Sequence, residues 1–336
     1  MNGHLTARAW LQERRRVITL LDRPSTSADS PALDEPGPPA SKAGLISYPR
    51  RKSAGRLRKP LRRPALTLLS LGRAEVAAQR PLWLIDPEIT DTPIWLHRLP
   101  APFEGLKIVH LTDIHHSLFT PLEQVERVVQ LANRLEPDLV ALTGDYVTLS
   151  PAYIAPVARA LGKLRARRGV FAVLGNHDFQ VDADQVTRAL RCHRIRVLRN
   201  SRHPIRAGGK TLWMIGVDDL WWNSDDLPAA LESVPARDAK ILLCHNPLGV
   251  WQASARGVDL VLSGHTHGGQ VRLPGIRSLY RSKLGERFVE GWNRLKGTQI
   301  YVSRGIGKVV VPIRVACPAE IACLHLHRTR AQRALN

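Results

Sequence analysis

The sequence is short of cysteine, methionine and aromatic residues. Its 336 residues include 4 cysteines, 2 methionines and only 5% aromatic side chains. Cys192, Cys244, Cys317 and Cys323 show no C-x-x-C spacing, which argues against a disulfide framework or a zinc finger as the basis of the fold. We therefore expect reduced thiols in a protein that depends on an ordinary apolar core.

Long apolar runs are lacking as well. No stretch approaches the roughly eighteen apolar residues that a membrane-spanning helix requires. The segment from Pro64 to Leu71 resembles the apolar part of a signal peptide, but it is too short and too far from Met1 for a standard one. The sequence predicts a cytoplasmic protein with no standard signal peptide or transmembrane helix. Peripheral attachment to the inner face of the membrane stays open.

Acidic residues are outnumbered, with 29 Asp and Glu against 49 Lys and Arg and a net charge of +20. Residues 1–80 supply half of that excess. They comprise a basic segment, Trp10–Leu21, that can form a helix, a Pro/Ser-rich linker over 22–47, and a polybasic run over 50–63. We predict a largely disordered tail over 1–80, one folded domain over 81–328 and a C-terminal tail over 329–336.

Three interpretations of the polybasic run, residues 50–63, stay open. It is a solvated tail, an attachment to an anionic membrane surface, or a nucleic-acid-binding arm. The third is the weakest, because no aromatic residues interleave the basic ones to stack on bases.

The sequence does contain five short apolar runs, and each of them ends in residues of types that bind metal ions. They are 106–115, 138–145, 169–178, 239–245 and 258–267. Runs of β-branched and aliphatic residues with little alternation predict strands buried on both faces. Open sheets of such strands bind their ligands beyond the carboxyl ends, where these polar residues fall.

Helical patterns separate the first strands and predict an α/β fold. Thr120, Pro121 and Glu123 indicate a capped helix start, and the buried face is expected to comprise Val125, Val128, Val129, Ala132 and Leu135. Further helices are expected after Ser150, from about Asp182, and over 226–234. Strand–helix alternation implies parallel pairing with right-handed crossovers.

Other segments predict additional strands. We expect two edge strands between Trp83 and Leu99, one strand over 211–217, and three closing strands over 300–303, 309–315 and 320–327. The predicted fold class is α/β, a four-layer α/β/β/α sandwich with a disordered basic N-terminal tail.

The residues at the strand ends match the needs of a centre with two divalent metal ions. The candidate ligands are carboxylates, one amide and imidazoles: Asp113, His115, Asp145, Asn176, His245, His265 and His267. Such donors suit Mn, Fe or Zn, and the lack of cysteine ligands argues against a structural zinc. Asp145 is central in the order and is the natural bridging carboxylate. Two divalent cations, two carboxylates and a bridging hydroxide leave a net positive charge that attracts a phosphate ester.

The blocks Asp113-x-His115, Gly144-Asp145, Gly175-Asn-His-Asp178, His245 and Gly264-His-Thr-His267 resemble, in order and spacing, those of the calcineurin-like metallophosphoesterases. The resemblance covers residues 82–328. It implies a first metal on Asp113, His115, Asp145 and His267, and a second on Asp145, Asn176, His245 and His265. It further implies that His177 contacts the phosphate and assists the leaving group, while a metal-bridging hydroxide makes an in-line attack on phosphorus.

One departure from the family pattern bears on the substrate. The Ser/Thr protein phosphatases extend the second block to Gly-Asp-x-x-Asp-Arg-Gly, but this chain reads Gly-Asp-Tyr-Val-Thr-Leu-Ser over 144–150. This argues against a protein phosphatase and leaves the orientation of His177 to Asp178 or a backbone carbonyl. The blocks at 111–116, 264–270 and 302–307 are closer to bacterial membrane-associated phosphodiesterases, which include hydrolases of UDP-2,3-diacylglucosamine.

Three features suggest how a phosphorylated small-molecule or lipid-linked substrate is held. Residues 269–298 carry a local excess of basic residues, as in a solvated loop or a lid over an anionic substrate. Trp221 and Trp222 belong to a core edge, or they contact acyl chains or a membrane interface. Arg304 is a candidate phosphate-binding residue.

The sequence thus predicts a manganese-dependent phosphodiesterase or pyrophosphatase. A nuclease, a cyclic-nucleotide phosphodiesterase and a non-catalytic basic scaffold are the alternatives.

Overall fold

The computed structural model describes residues 86–272 and 288–329. The predicted tail over 1–80, with its polybasic run, lies outside the described residues, as do residues 330–336 and 273–287. The expectation of a basic lid over 269–298 therefore falls mostly outside them.

Two six-stranded sheets form the centre of the described part of the chain. Its strands are β1 (Glu88–Leu96), β2 (Leu106–Leu111), β3 (Leu139–Leu142), β4 (Val170–Ala172), β5 (Arg196–Val197), β6 (Ser201–Ala207), β7 (Lys210–Gly216), β8 (Ala239–Leu243), β9 (Leu260–Ser263), β10 (Gly291–Leu295), β11 (Thr298–Val302) and β12 (Glu320–Arg328). The first sheet has the order β1-β12-β2-β3-β4-β5, and the second β10-β11-β9-β8-β7-β6. The pairs β2–β3–β4–β5 and β7–β8–β9–β11 are parallel, as strand–helix alternation predicts.

Helices cover the outer face of each sheet. They are α1 (Leu122–Arg134), α2 (Ile154–Leu161), α3 (Asn176–Val181), α4 (Ala183–Cys192), α5 (Leu227–Leu231) and α6 (Gly249–Ala255), with short 3-10 helices at Ala101–Phe103, Pro151–Tyr153 and His267–Gly269. One apolar cluster lies between α1, α2, α4 and the first sheet, a second between the sheets, and a third between the second sheet, α5 and α6. This confirms the four-layer α/β/β/α sandwich.

Alternation within the strands explains the layers. In β3, Leu139 and Ala141 belong to the cluster between the sheets, whereas Val140 and Leu142 belong to the cluster under the helices. Successive side chains of a strand point to opposite faces, so an uninterrupted apolar run fills two layers at once.

The helix predictions hold, except for one cap. The helix predicted from about Asp182 is α4, and it begins as expected, because the Asp182 side chain accepts a hydrogen bond from the Gln185 amide at 2.8 Å. Thr120 is not the cap of α1: the helix begins at Leu122, with Pro121 as its N-cap and no capping side chain. The helix starts one residue too late for the Thr120 hydroxyl to reach its first amides.

Two strand predictions need correction, and some strands were not predicted. The described residues between 86 and 99 contain one strand, β1 (Glu88–Leu96), which pairs with β12 along its whole length, rather than two edge strands. Residues 309–315 form no strand, because Pro312 lacks an amide donor and the Gln270 side chain bonds to Val309 and Val311 instead. The sequence pattern also missed β5, β10 and β6. Of these, β6 is an edge strand that contains Pro204.

Candidate metal centre

The predicted metal ligands meet at the carboxyl ends of five strands. β2, β3 and β4 of the first sheet and β8 and β9 of the second each end shortly before one of the sequence blocks. Because the two sheets pack face to face through a shared apolar layer, the loops that follow these strands converge. The structure brings together all seven predicted ligands.

The first group of donors is formed by Asp113, His115 and His267. Asp113 Oδ1 lies 3.3 Å from His267 Nε2, and the Nε2 atoms of His115 and His267 are 3.1 Å apart. Donor atoms of the three residues all lie within 4.8 Å of one another, and all three side chains are buried.

The second group continues from Asp145. Its Oδ2 atom lies 3.5 Å from His115 Nε2 and 3.2 Å from His245 Nε2. His265 Nδ1 is 3.2 Å from His245 Nε2 and 2.9 Å from Asn176 Oδ1. The Asp145 carboxylate therefore lies between the two groups, in the position of a bridging ligand.

Outer hydrogen bonds orient two of the imidazoles. His245 Nδ1 lies 2.7 Å from the carbonyl oxygen of Thr143, so Nδ1 carries the proton and donates it there. His115 Nδ1 lies 2.6 Å from the Thr148 hydroxyl. Both contacts direct the Nε2 atom of the ring into the donor cluster, as metal ligation requires.

The backbone at the centre is held in an unusual conformation. Five residues have φ between 47° and 72°: Asp113, His115, Asp145, His265 and His267. Residues other than glycine rarely adopt these positive φ values, and each residue that does so costs on the order of 1–3 kcal/mol of conformational free energy. Such strain persists only where surrounding contacts impose it.

Glycines allow the closest approaches around the carboxylates. A Cβ atom on Gly175 would lie 2.2 Å from Asp145 Oδ1, and one on Gly264 would lie 2.2 Å from Asp113 Oδ2. Both sequence blocks therefore need glycine for space.

The electrostatics favour a positive charge in the cluster. Burial lowers the pKa of His115 to about 3 and that of His265 to about 4, so both rings are neutral and keep a lone pair. Burial also acts to lower the pKa of His245, but the Asp145 carboxylate raises it to about 10. The two buried carboxylates hold a cation in the form of this imidazolium, whose proton a metal ion would replace.

His177 lies at the edge of the cluster. Its amide donates to Asp145 Oδ1 at 2.9 Å, and its ring centroid is 4.9 Å from that of His115. Its Nδ1 atom is buried and has no hydrogen-bond partner among the described residues. This ring is thus near the donors without being fixed by another side chain.

Asp178 does not orient His177, contrary to expectation. Its carboxylate accepts hydrogen bonds from the amides of Gly175, Asp145 and Tyr146 at 2.8–2.9 Å. These amides belong to the start of α3 and to the loop after β3, so the buried Asp178 carboxylate holds the two segments together. Only a hydrogen-bond acceptor can satisfy three amide donors that point to one buried position. Asp178 therefore positions the Asp145 backbone.

Arg304 is the other correction. Its guanidinium is paired with Glu88 at 2.8 Å and with Glu320 at 3.3 Å, so two carboxylates already occupy the group that was expected to bind phosphate. Arg314, which the sequence analysis did not single out, lies 3.4 Å from His267 Nδ1 and donates to the carbonyls of Arg304 and Gly307. No motif marks Arg314, because it lies within the irregular segment, residues 309–315, that the sequence pattern predicted to be a strand.

Both tryptophans border the centre. The ring of Trp221 is 5.4 Å from that of His265, and Trp222 Nε1 donates to the Asn176 carbonyl at 3.1 Å. They are 64% and 51% exposed, which rules out the core-edge interpretation.

The donor set fits a pair of divalent metal ions. It consists of oxygen and imidazole donors, five of them on buried residues, in two groups that share one carboxylate, with glycines that leave room around both carboxylates. Divalent ions of the first transition row favour this combination.

Comparison with known proteins decides the family. Residues 106–269 match the family model for the calcineurin-like phosphoesterase domain. The uncharacterized metallophosphoesterase YkuE of Bacillus subtilis is 32% identical over 249 residues, which cover 72% of this chain and 86% of that protein. The chain belongs to the calcineurin-like metallophosphoesterase family. It is accordingly a metal-dependent phosphoester hydrolase.

Two further metallophosphoesterases show the range of relatives. Phosphodiesterase YaeI of Escherichia coli is 32% identical over 230 residues, covering 67% of this chain and 83% of that protein. A transmembrane protein with a metallophosphoesterase domain from Bos taurus is also 32% identical, over 82% of this chain and 64% of its own length. Among residues 86–272 and 288–329 of this metallophosphoesterase, no helix is long and apolar enough to cross a membrane.

Proposed function

We propose that this metallophosphoesterase hydrolyses phosphodiester or pyrophosphate bonds in lipid-linked substrates at a membrane surface. The observation that carries the reaction class is the shared carboxylate: Asp145 lies between two groups of donors that each suit one divalent ion. Asp113, His115, Asp145 and His267 would hold the first ion, and Asp145, Asn176, His245 and His265 the second. When bound, such a pair supplies Lewis acidity, an activated water and charge neutralisation for displacement at phosphorus.

His177 is proposed as the residue that contacts the reacting phosphate. Its backbone is anchored to Asp145, whereas its buried Nδ1 atom has no protein partner in the described part of the chain. A histidine so placed can bind a phosphoryl oxygen and deliver a proton to the leaving oxygen.

Manganese is the proposed metal, with iron or zinc as the alternatives. The donors are carboxylate, amide and imidazole groups without thiolate, a set that accepts all three. Activity restored to metal-stripped protein by Mn²⁺, Fe²⁺ or Zn²⁺ in parallel titrations distinguishes them.

The second block supports a substrate other than a phosphoprotein. Where the protein phosphatases have aspartate and arginine, this chain has Thr148 and Leu149. Thr148 is used inside the protein, as the partner of His115, and Leu149 is 80% exposed. An apolar side chain thus stands beside the centre where a phosphate-binding cation would be expected.

Exposed apolar side chains near the centre support a lipid-linked substrate. We call this set the apolar rim: Leu118, Phe119, Leu149, Trp221, Trp222, Val310 and Ile313. Trp221 and Trp222 contact His265 and Asn176, Leu149 follows the Thr148 that holds His115, and Ile313 precedes Arg314, which lies beside His267. Phe119 contacts Lys308 through its carbonyl, and Val310 lies between two residues bound by Gln270. Exposed apolar groups gathered around a functional site are typical of surfaces that bind lipid or membrane.

The first test compares substrates in the presence of Mn²⁺. We expect turnover of a bis-aryl phosphodiester, and faster turnover of an acylated nucleotide-sugar pyrophosphate, such as UDP-2,3-diacylglucosamine, than of the same compound without acyl chains. Equal rates on the two pyrophosphates would refute the role of the rim. Salt-dependent cleavage of nucleic acid without either activity would favour the nuclease alternative.

The second test concerns the rim and the basic run separately. Val310→Glu adds a charge to an 85% exposed position and should lower turnover of the acylated substrate while sparing the bis-aryl diester. Neutralisation of Arg56, Arg58 and Lys59 to glutamine should weaken binding to anionic vesicles about 100-fold, because each basic residue contributes about 1 kcal/mol near such a surface. Unchanged vesicle binding would exclude the proposed peripheral attachment through residues 50–63.

A further inference from the structure

A second cluster of metal-favouring side chains lies away from the catalytic centre. In β12, Ala322, Leu324 and Leu326 face the layer between the sheets, so Cys323 and His325 face the opposite, outer side. Asp91 of β1 stands opposite Cys323 in the parallel register. These three side chains thus share one face of the β1–β12 pair.

Their atoms converge on a common point. His325 Nε2 lies 3.2 Å from Asp91 Oδ2 and 3.5 Å from Cys323 Sγ, and the three donor atoms all lie within 4.8 Å of one another. For tetrahedral zinc, usual bond lengths place a nitrogen about 3.4 Å from a carboxylate oxygen and about 3.6 Å from a sulfur. The observed separations match those of ligands around one ion.

The arrangement differs from a proton relay. In a Cys–His–Asp relay the two ring nitrogens are used separately, one toward sulfur and one toward the carboxylate. Here a single nitrogen, His325 Nε2, faces both partners. A metal ion bound by all three side chains accounts for this convergence, and a catalytic triad does not.

The surroundings leave the point accessible from solvent. Cys323 is 2% exposed, whereas the side chains of His325 and Asp91 are 26% and 71% exposed. The nearby ammonium of Lys107 is directed to the Leu135 carbonyl at 2.9 Å. An ion bound here would have the thiolate beneath it and water as a fourth ligand.

We propose that Asp91, Cys323 and His325 form a mononuclear binding site for a zinc-type divalent cation, separate from the catalytic pair. Cys323 pairs with Val109 on β2, four residues and roughly 13 Å of extended chain before Asp113. A cation at this position links β1 to β12. It therefore stabilises the edge of the first sheet without touching the reacting groups.

Cobalt provides a test that the catalytic centre cannot mimic. Cobalt bound to thiolate absorbs in the near ultraviolet through ligand-to-metal charge transfer, and the seven predicted catalytic ligands include no cysteine. Full-length metal-stripped protein titrated with Co²⁺ should develop this band with a stoichiometry of one, and Zn²⁺ should abolish it. Asp145→Asn, a change in the catalytic centre, should leave the band intact, so this result is independent of the proposed function.

Single-residue variants test which side chains produce the cobalt absorption band. Cys323→Ser should abolish it and lower the zinc content by one equivalent, with phosphodiesterase turnover unchanged. The exposed Cys192 provides the matched control, because Cys192→Ser should change neither. Asp91→Asn alters an exposed side chain with little risk to folding and should weaken Co²⁺ binding at least about tenfold. A wild-type protein without the band, or a band that survives Cys323→Ser, would overturn the proposal.

Discussion

Replacing Gly175 with alanine places a methyl group against the carboxylate that both donor groups share. The new Cβ atom would lie 2.2 Å from Asp145 Oδ1 and 2.7 Å from the Asp145 amide nitrogen. Because φ of Gly175 is −105°, alanine adopts this backbone conformation without strain. The substitution therefore tests space alone.

The expected effect follows from the overlap. A carbon and an oxygen that are not bonded need more than 3 Å, so Asp145 or the start of α3 must move by about 1 Å. A displacement of that size at reacting groups lowers the rate about 100-fold, equivalent to about 2.7 kcal/mol of transition-state stabilisation. Overpacking should also lower the free energy of unfolding by about 1–3 kcal/mol.

The assay is steady-state hydrolysis of a bis-aryl phosphodiester at saturating Mn²⁺, with metal content measured in parallel. Gly297→Ala is the control, because nothing lies within 4 Å of a Cβ atom there. Thermal unfolding shows whether the Gly175 variant is folded. If folded Gly175→Ala keeps its metal and turns over within about threefold of the wild type, the reasoning that ties the rate to the Asp145 position is refuted.

Four further outcomes are expected. Thr148→Val removes the hydroxyl that holds His115 and should weaken Mn²⁺ binding about 10- to 100-fold, with Thr148→Ser close to wild type in the same metal titration. Asp178→Asn turns an amide nitrogen toward buried backbone donors and should cost about 3 kcal/mol in urea denaturation; a loss below about 1 kcal/mol would contradict its role. Burial acts to raise the pKa of Glu320, but hydrogen bonds from Arg304, Tyr301 and Thr90 lower it below its ordinary value. Its stabilisation is therefore present above the ordinary glutamate pKa and lost as pH falls below it, so Glu320→Gln should flatten the acid limb of stability against pH. Removal of metal with a chelator should abolish turnover and lower the melting temperature, and both should return with Mn²⁺.

Local sequence was sufficient for the layered fold and for the placement of the candidate donors at the strand ends. The uninterrupted runs before Asp113 and Asp145 indicate strands buried on both sides, and the helical periodicity between them requires parallel pairing. Parallel strands bring their carboxyl ends to one edge, so the residues that follow them meet there. This consequence of topology holds without any knowledge of side-chain packing.

The predicted roles of Arg304 and Asp178 could be corrected only from the packing seen in the tertiary structure. Arg304 and Asp178 are of types that bind phosphate or orient histidine, yet each already satisfies other buried groups: two carboxylates for Arg304 and three amides for Asp178. Which partner a polar side chain takes depends on what packing places within about 3 Å of it. Sequence spacing does not carry that information.

The sequence by itself determined that this protein has a two-sheet α/β core with oxygen and imidazole donors at the strand ends, because periodicity and residue order are local properties. Only the tertiary structure decided that five candidate ligand residues have positive φ, that the exposed Trp221 and Trp222 border the centre, and that Asp91 meets Cys323 and His325. The pairing of β1 with β12 joins residues more than 200 positions apart. Such contacts arise when separate strands are fixed against a common core, and no local pattern encodes them.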